Sequence, residues 1–279
     1  MTEAPSEAAE HDGPHLVCER ILGYYAQGKE DGRLRTGSGR LEYWRTQDVL
    51  RRLLPTGSQS ILDVGGGSGI HAAWLAEDGH RVELIDPVPL HVEQAAGLPD
   101  VTARLGDARA LPVEDGSVDA VLMLGPLYHL TERRDRVRAL VEACRVVRPG
   151  GMVVAASINR FAGVHGTLSD GLYFDPEHRA RQDAVAHDGR NDPRHAAALF
   201  TTSYFHDPAE VPEEFSDAGL EATGQYGLEG AAWLMGEVAA WMDDPHRRDV
   251  VLSAMRQTES VPSLLGISGH LLTAGIRPR

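Results

Sequence analysis

A glycine-rich turn is the segment of this sequence best suited to chemistry. In ILDVGGGSGIHAAWLA, a strand pattern reaches Asp63, a turn carries Gly65, Gly67 and Gly69, and a helix pattern follows. Glycines let the backbone approach a ligand closely, and the start of a helix offers free amide donors and a partial positive charge. The dinucleotide fingerprint G-x-G-x-x-G does not fit, because Ile70 stands at its last position. The spacing G-x-G-x-G fits completely, so a dinucleotide is the weaker candidate ligand.

Two acidic residues follow the next strand patterns, at positions where a nucleoside ligand would need them. Asp86 ends RVELID, and a carboxylate there can accept hydrogen bonds from both ribose hydroxyls. Asp107 follows VTARLG, where a carboxylate can accept from the exocyclic amine of adenine. Either acid alone is more typical of a solvated turn or a helix cap. Together, at the carboxyl ends of successive parallel strands, they lie along the crevice where such sheets bind ligands.

Four segments occur in one order over roughly residues 60 to 158: ILDVGGGSG, ELID, GDARALPVEDGSVDAVLMLGPLYHL and VVRPGGMVV. In this set the chain resembles the class I S-adenosylmethionine-dependent methyltransferases, specifically the small-molecule branch related to quinone-biosynthesis methyltransferases. The resemblance implies an enzyme that transfers a methyl group from S-adenosyl-L-methionine and leaves S-adenosyl-L-homocysteine. It implies as acceptor an O, N or C nucleophile of a small molecule, and a secondary metabolite would suit the sequence.

The resemblance also implies cofactor-binding roles by position. The methionine part would be held by Asp63, Gly65, Gly67 and Gly69, the ribose diol by Asp86, the adenine by Asp107 and Ala108, and the amino group by Leu124 and Gly125. Departures from the family pattern are small. Gly66 replaces a common cysteine, and Val118 stands where an aromatic residue is frequent.

The end of the fourth strand pattern, GPLYHL, places Tyr128 and His129 beside the expected methyl group. Methyl transfer needs in-line placement of the nucleophile, desolvation and, for a protonated nucleophile, a base. His129 is therefore the candidate general base or substrate positioner, and a structural histidine bonded to a loop carbonyl is an equally good interpretation. Tyr204, Phe205 and His206, just before a predicted helix, are the best-placed residues of a candidate substrate pocket.

The N-terminal helix patterns contain tyrosines and arginines that a cap over the cofactor could use: Tyr24, Tyr25, Arg33 and Arg45. Of these, Tyr25 is predicted to place its ring near the sulfonium, and Arg45 to bind the methionine carboxylate. Packing of the cap against the sheet is an equally good interpretation of both residues.

A metal-independent reaction is predicted. The segment from 160 to about 206 holds five histidines, His165, His178, His187, His195 and His206. Their loose spacing matches no zinc or iron pattern. A polar surface or a substrate pocket is the better interpretation of these residues.

The charge balance limits the partners of the chain. Its 279 residues carry 27 basic and 41 acidic side chains, a formal net charge of −14. This excess repels polyphosphate and anionic lipid, and GPLY lacks the leading Asn or Asp of amino-methylating nucleic-acid enzymes. We therefore expect a small-molecule substrate, with no nucleic-acid or membrane partner. Two cysteines, an acidic N-terminus and no apolar run of membrane length predict a soluble, cytoplasmic protein.

These residues require a scaffold that brings the ends of several strands together. Short β-rich runs alternate with amphipathic helix patterns from residue 60, which predicts an α/β fold with a Rossmann-like, doubly wound sheet. The predicted organisation is a disordered acidic tail over 1–14, a helical cap over 15–55 and a methyltransferase core over 56–279. Within the core, residues 160 to about 206 show no sustained period and predict an inserted lid or binding loop.

Two other functions stay open on the sequence. A protein that binds S-adenosylmethionine without transferring its methyl group, as a pericyclic catalyst or a sensor, would keep every cofactor motif. A nicotinamide-dependent oxidoreductase is the weaker alternative, because it needs the G-x-G-x-x-G spacing that fails at Ile70.

Overall fold

The computed structural model describes residues 19–25, 30–191 and 200–279. The predicted tail over 1–14, Cys18 and His195 lie outside these described residues. Within the described ranges, no helix is both long enough and apolar enough to cross a membrane.

A central β-sheet confirms the predicted α/β, Rossmann-like architecture. Its strands are β1 (Ser60–Val64), β2 (Arg81–Asp86), β3 (Val101–Leu105), β4 (Val118–Met123), β5 (Val147–Asn159), β6 (Arg190–Asn191), β7 (Ser203–His206), β8 (Glu221–Gly227) and β9 (His270–Ile276). Strands β1 to β5 are parallel, in the order β3-β2-β1-β4-β5. Strand β9 runs antiparallel to β5 and pairs with β8 on its other side. The short β6-β7 ribbon joins the end of β5, where Ile158 pairs with Phe205.

Helices cover both faces of this sheet. They are α1 (Glu19–Tyr25), α2 (Glu30–Arg33), α3 (Gly39–Leu53), α4 (Ile70–Glu77), α5 (Pro89–Ala96), α6 (Pro126–His129), α7 (Arg133–Val146), α8 (Ala162–Ser169), α9 (Pro176–Asp188), α10 (Glu210–Asp217), α11 (Val238–Asp243) and α12 (Pro245–Arg256). Three 3-10 turns occupy Leu172–Phe174, Ala232–Leu234 and Pro262–Ile267.

Successive side chains of a strand point to opposite faces, and β1 divides the core in this way. Leu62 packs in a cluster with Leu140 of α7 and Phe215 of α10. Ile61 packs in a second cluster with Leu50 of α3 and Leu75 of α4. Each fully buried side chain of this size stabilises the fold by about 1.5–3 kcal/mol. Because helices occupy both faces, the carboxyl edge of the parallel strands is the open place for a ligand.

The segment predicted as an inserted lid or binding loop contains helices. Residues 160–191 contain α8, the 3-10 turn at Leu172–Phe174 and α9, and they end in β6. Helix α9 is specified at its ends: the Asp175 side chain accepts hydrogen bonds from the amides of Glu177 and His178, and Gly189 ends the helix with φ +79°. These local capping signals form the helix despite its weak apolar periodicity.

Candidate active site

A cavity of about 660 Å³ lies at the carboxyl edge of the sheet, bounded by the ends of β1, β2 and β4, by the loop after β3 and by the cap. Most of the predicted site residues line it: Tyr25, Asp63, Gly65, Gly67, Asp86, Asp107, Ala108, Leu124, Gly125, Tyr128 and His129. Its volume is typical of a pocket for one drug-sized ligand or larger. Gly69, Arg45 and His206 are not among the lining residues.

The glycine turn after β1 has no room for a side chain at Gly65 or Gly66. Gly65 has φ +68°, and a Cβ there would lie 2.7 Å from Cγ of Pro126. A Cβ on Gly66 would lie 2.5 Å from Oδ2 of Asp63. Gly69 has φ +89° and stands at the N-cap of α4, so it shapes the turn without lining the cavity. The backbone can therefore come close to a ligand here, as the sequence predicts.

Asp63 is a buried acid without a partner. Its side chain is 1% exposed, and among the described residues neither carboxylate oxygen has a hydrogen-bond partner. Burial, assisted by the charge of Asp86, raises the pKa of Asp63 to about 7. Such a group favours a cationic ligand, because a nearby cation stabilises the charged form of a buried carboxylate.

Asp86 at the end of β2 is held in place by three donors. Its Oδ2 accepts from the amide of Gly67 at 2.9 Å, and its Oδ1 accepts from the amide of Val88 at 2.9 Å. Oδ1 also lies 3.0 Å from Nδ1 of His91, which lines the cavity as well. A carboxylate has about four acceptor directions. Asp86 therefore keeps room for about one ribose hydroxyl, where the sequence suggested two.

Asp107 is already bound by the neighbouring Arg109. Nη2 of Arg109 lies 2.7 Å from Oδ2, its Nε lies 3.0 Å from Oδ1, and its backbone amide donates to Oδ1 at 2.8 Å. These three bonds leave Asp107 about one acceptor direction, on Oδ2. Arg109, which lines the cavity, was not predicted from the sequence, although an acid and an arginine two positions apart were a visible signal.

Tyr25 and His129 meet over the cavity. The Tyr25 hydroxyl lies 2.6 Å from Nε2 of His129, and Nδ1 of His129 lies 3.2 Å from the carbonyl oxygen of Thr202. A carbonyl only accepts, so Nδ1 carries the proton and Nε2 accepts from the tyrosine. Burial lowers the pKa of His129 to about 4, which keeps its imidazole neutral near pH 7. The Tyr128 ring lies 4.7 Å from the His129 ring.

The structure corrects the prediction for Arg45. Its side chain is fully buried away from the cavity. Its guanidinium lies 2.6 Å from Asp48 and 2.5 Å from Glu259, and it donates to the carbonyl of Leu228. Arg45 is thus committed to joining α3 to the chain after α12. The arginine of the cap that does line the cavity is Arg33.

The structure also corrects the prediction for His206. This residue is the last of β7, and it is fully buried outside the cavity lining. Its ring lies 4.8 Å from that of Tyr204, and its Nε2 lies 3.8 Å from Glu214. Burial lowers the pKa of His206. A histidine enclosed in this way cannot touch a ligand in the cavity.

A methyltransferase domain family matches residues 62–155 of the chain. An uncharacterized methyltransferase of Mycobacterium tuberculosis is 44% identical over 101 residues, which cover 36% of this chain and 40% of that protein. A 2-methyl-6-phytyl-1,4-hydroquinone methyltransferase of Synechocystis sp. is 39% identical over 199 residues, which cover 68% of this chain and 54% of that protein. The chain thus spans about half the length of these curated relatives, or less.

Solved structures share the fold at low sequence identity. A methyltransferase of Thermotoga maritima, titled a possible histamine N-methyltransferase, has a TM-score of 0.60 at 18% identity and covers 92% of this chain and 98% of its own. The 1,6-didemethyltoxoflavin-N1-methyltransferase of Burkholderia thailandensis, solved with S-adenosylhomocysteine bound, has a TM-score of 0.57 at 15% identity and covers 100% and 94%. A [4+2]-cyclase has a TM-score of 0.52 at 19% identity and covers 85% and 81%. Residues 62–155 thus match a methyltransferase domain family, and the chain shares the fold of these solved structures.

Proposed function

We propose that this protein is an S-adenosylmethionine-dependent methyltransferase acting on an O, N or C nucleophile of a small molecule. The observation that carries the proposal is the unpartnered, buried carboxylate of Asp63 beneath a glycine turn in a large cavity. A second buried acid, Asp86, stands beside it on the next strand. A ligand with a cationic end and a ribose suits these two acids, and S-adenosylmethionine has both features.

The cofactor is proposed to lie along the ends of β1, β2 and β3. Asp63 and the amides of the glycine turn would hold the methionine part, and Asp86 would accept from the ribose. Ala108 and the Asp107–Arg109 pair would border the adenine, while Leu124 and Gly125 would border the amino group. Arg33 lines the cavity, but its guanidinium is engaged by the carboxylate of Glu42, so the proposal gives it no part in binding the methionine carboxylate.

Bound S-adenosylmethionine supplies a methyl group on a cationic sulfur, and the chain's own residues would manage the acceptor and its proton. Tyr25 donates to Nε2 of His129, so it stands between the base and the cavity. As the acceptor loses its proton to the Tyr25 oxygen, Tyr25 passes its own proton to Nε2. The carbonyl of Thr202 binds Nδ1–H and stabilises the resulting imidazolium. Tyr128, beside the histidine ring, would exclude water from this step.

The shared fold with a [4+2]-cyclase supports one alternative function, that of a pericyclic catalyst. In this alternative the protein binds the cofactor without transferring its methyl group. A secondary-metabolite acceptor also belongs to the proposal. Two proteins named above are methyltransferases of different small molecules, 2-methyl-6-phytyl-1,4-hydroquinone and 1,6-didemethyltoxoflavin. The acidic net charge of −14 supports a small molecule over a nucleic acid as the substrate.

Two measurements test the proposal. S-adenosylhomocysteine should raise the melting temperature of the protein, whereas NAD should not; the opposite result would overturn the cofactor assignment. Incubation with methyl-labelled S-adenosylmethionine and a panel of small phenols, amines and enolisable carbonyl compounds should transfer label to at least one class. Binding without label transfer to any acceptor would favour the cyclase-like alternative.

A further inference from the structure

An ionic cluster adjoins the cavity, and we define it as Arg33, Glu42, Glu229 and His270, of which all but Glu229 line the cavity. Nδ1 of His270 lies 2.6 Å from Oε1 of Glu229 and 3.6 Å from Oε2 of Glu42. Glu42 also accepts two hydrogen bonds from the guanidinium of Arg33. The second oxygen of Glu229 accepts from the hydroxyl of Ser268 at 2.9 Å. Two acids thus face a guanidinium and an imidazole.

The two carboxylates beside His270 favour an imidazolium at this cluster, although its geometry could suggest a metal. The potential ligand atoms of Glu42, Glu229 and His270 all lie within 4.8 Å of one another. However, the nitrogen that would bind a metal is Nδ1 of His270, and this atom is engaged as a donor to Glu229. Burial lowers the pKa of His270, but Glu42 and Glu229 outweigh burial and raise it above its usual value. Among the described residues, no hydrogen bond engages the remaining ring nitrogen, Nε2, and His270 lines the cavity.

Sheet topology places His270 away from the proposed cofactor. From β1, which carries Asp63, the sheet continues through β4 and β5 to β9, which begins at His270. Three strand spacings correspond to about 14 Å. The strands that carry Asp86 and lead to Asp107 extend in the opposite direction from β1.

The same end of the cavity adjoins the proposed catalytic residues. His270 pairs in register with Ile158 of β5, and Ile158 packs in one hydrophobic cluster with Tyr128. Between them, Ala156, Leu228 and Leu272 give the cavity an apolar wall. A ligand here would touch this apolar wall and meet the charged groups of the cluster at its end.

We propose that His270 binds the methyl acceptor, donating from Nε2–H to an anionic oxygen of a small, mainly apolar molecule. The acceptor would rest on Ala156, Leu228 and Leu272, with its nucleophilic atom at the Tyr25–His129 end. This inference rests on the proposed function and narrows its substrate class to acceptors that carry a carboxylate, phenolate or enolate oxygen remote from the methylated atom. Glu229 is then a positioning residue, which fixes the orientation and charge of the imidazole.

The test uses two probes of similar size and opposite charge, benzoate and benzylamine, titrated into protein saturated with S-adenosylhomocysteine. Benzoate should bind, and benzylamine should bind at least about tenfold more weakly, because only benzoate accepts from an imidazolium. His270→Gln should weaken benzoate binding about tenfold or more and leave S-adenosylhomocysteine binding unchanged. The matched control is His246→Gln, an identical change at an exposed position on α12, which should alter neither affinity.

Three results would overturn the inference: no benzoate binding to wild-type protein that binds S-adenosylhomocysteine, equal benzoate affinity in His270→Gln, or preference for benzylamine. Failure of S-adenosylhomocysteine itself to bind would instead contradict the proposed function, so the two failures are distinguishable. If His270→Gln does not fold, Glu229→Gln serves as a second variant. It should weaken benzoate binding and shift the ¹⁵N resonances of the His270 ring toward those of neutral imidazole, and unchanged resonances would contradict the role of Glu229.

Discussion

The hydroxyl of Tyr25 in the cap lies 2.6 Å from Nε2 of His129, a residue 104 positions further along the chain. The two side chains come from α1 and from α6 after β4, and they meet over the same cavity. Thr202, in the segment after α9, completes the arrangement by accepting from the other ring nitrogen. Cap, sheet and inserted segment thus contribute one residue each to a single line of hydrogen bonds. Docking of the cap and assembly of the proposed proton path are therefore the same structural event.

Removing either member of the Tyr25–His129 pair should slow methyl transfer without abolishing cofactor binding. For His129→Gln we expect a loss of about 10²–10⁴ in kcat, the usual contribution of a positioned acid or base. Tyr25→Phe should have an effect of the same kind, because it interrupts the path to Nε2. The measurement is turnover of methyl-labelled S-adenosylmethionine with an acceptor found in the labelled panel.

The control for this pair is Tyr173→Phe, which removes the same atom from a tyrosine bonded to Asp183 outside the cavity lining. It should turn over like the wild type. Because the pKa of His129 lies at about 4, the wild type should also show no loss of kcat as pH falls through 6.5, where an ordinary histidine titrates. Unchanged kcat in His129→Gln would remove this residue from the mechanism.

Asp63 should stabilise the complex and destabilise the unliganded protein. Its pKa rises from 3.8 to about 7 on folding, so the folded state binds the proton more tightly than the unfolded state. The free energy of unfolding therefore falls as the pH rises from 3.8 to about 7. Above pH 7 the penalty is complete and amounts to about 4 kcal/mol at most, at 1.36 kcal/mol for each pKa unit. Asp63→Asn should therefore melt at a higher temperature than the wild type near pH 8, yet bind S-adenosylhomocysteine more weakly. A lower melting temperature would contradict this account.

The same group should link cofactor binding to pH. The ammonium of a bound cofactor favours the carboxylate, so binding lowers the pKa of Asp63 below about 7 and releases a proton in acidic solution. Affinity for S-adenosylhomocysteine should rise with pH toward 7 and then level off. Calorimetric titration at about pH 6 in two buffers of different ionisation enthalpy measures the protons released. Asp63→Asn is the matched control and should remove the release; equal release from both proteins would assign it to another group.

Gly66→Ala should disturb the cofactor site by steric contact alone. Gly66 is not among the glycines with positive φ, but an added Cβ would lie 2.5 Å from Oδ2 of Asp63 and 2.6 Å from Cδ1 of Leu84. We expect a destabilisation of about 1–3 kcal/mol, the usual cost of overpacking, and loss of S-adenosylhomocysteine affinity. Gly236→Ala is the control, since nothing lies within 4 Å of a Cβ there. Equal behaviour of the two variants in thermal melting and calorimetry would contradict the account of the turn.

Arg45 and Arg33 of the cap should differ in what they contribute to the stability of the fold. Arg45→Gln leaves the buried Glu259 without one of its cationic partners and should cost about 3 kcal/mol of unfolding free energy. Arg33→Gln should change stability by less than about 1 kcal/mol, because this pair is partly exposed. It should leave S-adenosylhomocysteine binding unchanged, because Glu42 engages its guanidinium. Chemical denaturation and calorimetry test both variants, and a binding defect confined to Arg45→Gln would reverse the correction.

The sequence was most informative where chemistry depends on neighbours in the chain. The turn from Asp63 to Gly69 follows from local φ requirements, and Asp86 stands at the end of a strand that its own apolar pattern defines. Arg45 and His206 were misplaced because their environments depend on distant residues. Glu259, which binds Arg45, lies 214 positions away, and no spacing near Arg45 indicates it.

The pairing of Tyr25 with His129 and the cluster at His270 could not be predicted for the same reason. Tyr25, Glu42, Glu229 and His270 come from four separate elements or loops, and only the folded sheet brings them to one cavity. The helices of the predicted lid segment were not expected from the sequence, because α9 is fixed by the Asp175 cap more than by an apolar stripe.

The central claim is that S-adenosylmethionine lies along the ends of β1, β2 and β3 with its sulfur under the Tyr25–His129 pair. A crystal structure of the protein with S-adenosylhomocysteine tests this claim most directly. We predict that Asp63 and Asp86 contact the amino-acid and ribose parts, and that the sulfur faces Tyr25 and His129 with the His270 end of the cavity left open. A ligand in the opposite orientation, or one bound outside this cavity, would contradict the account.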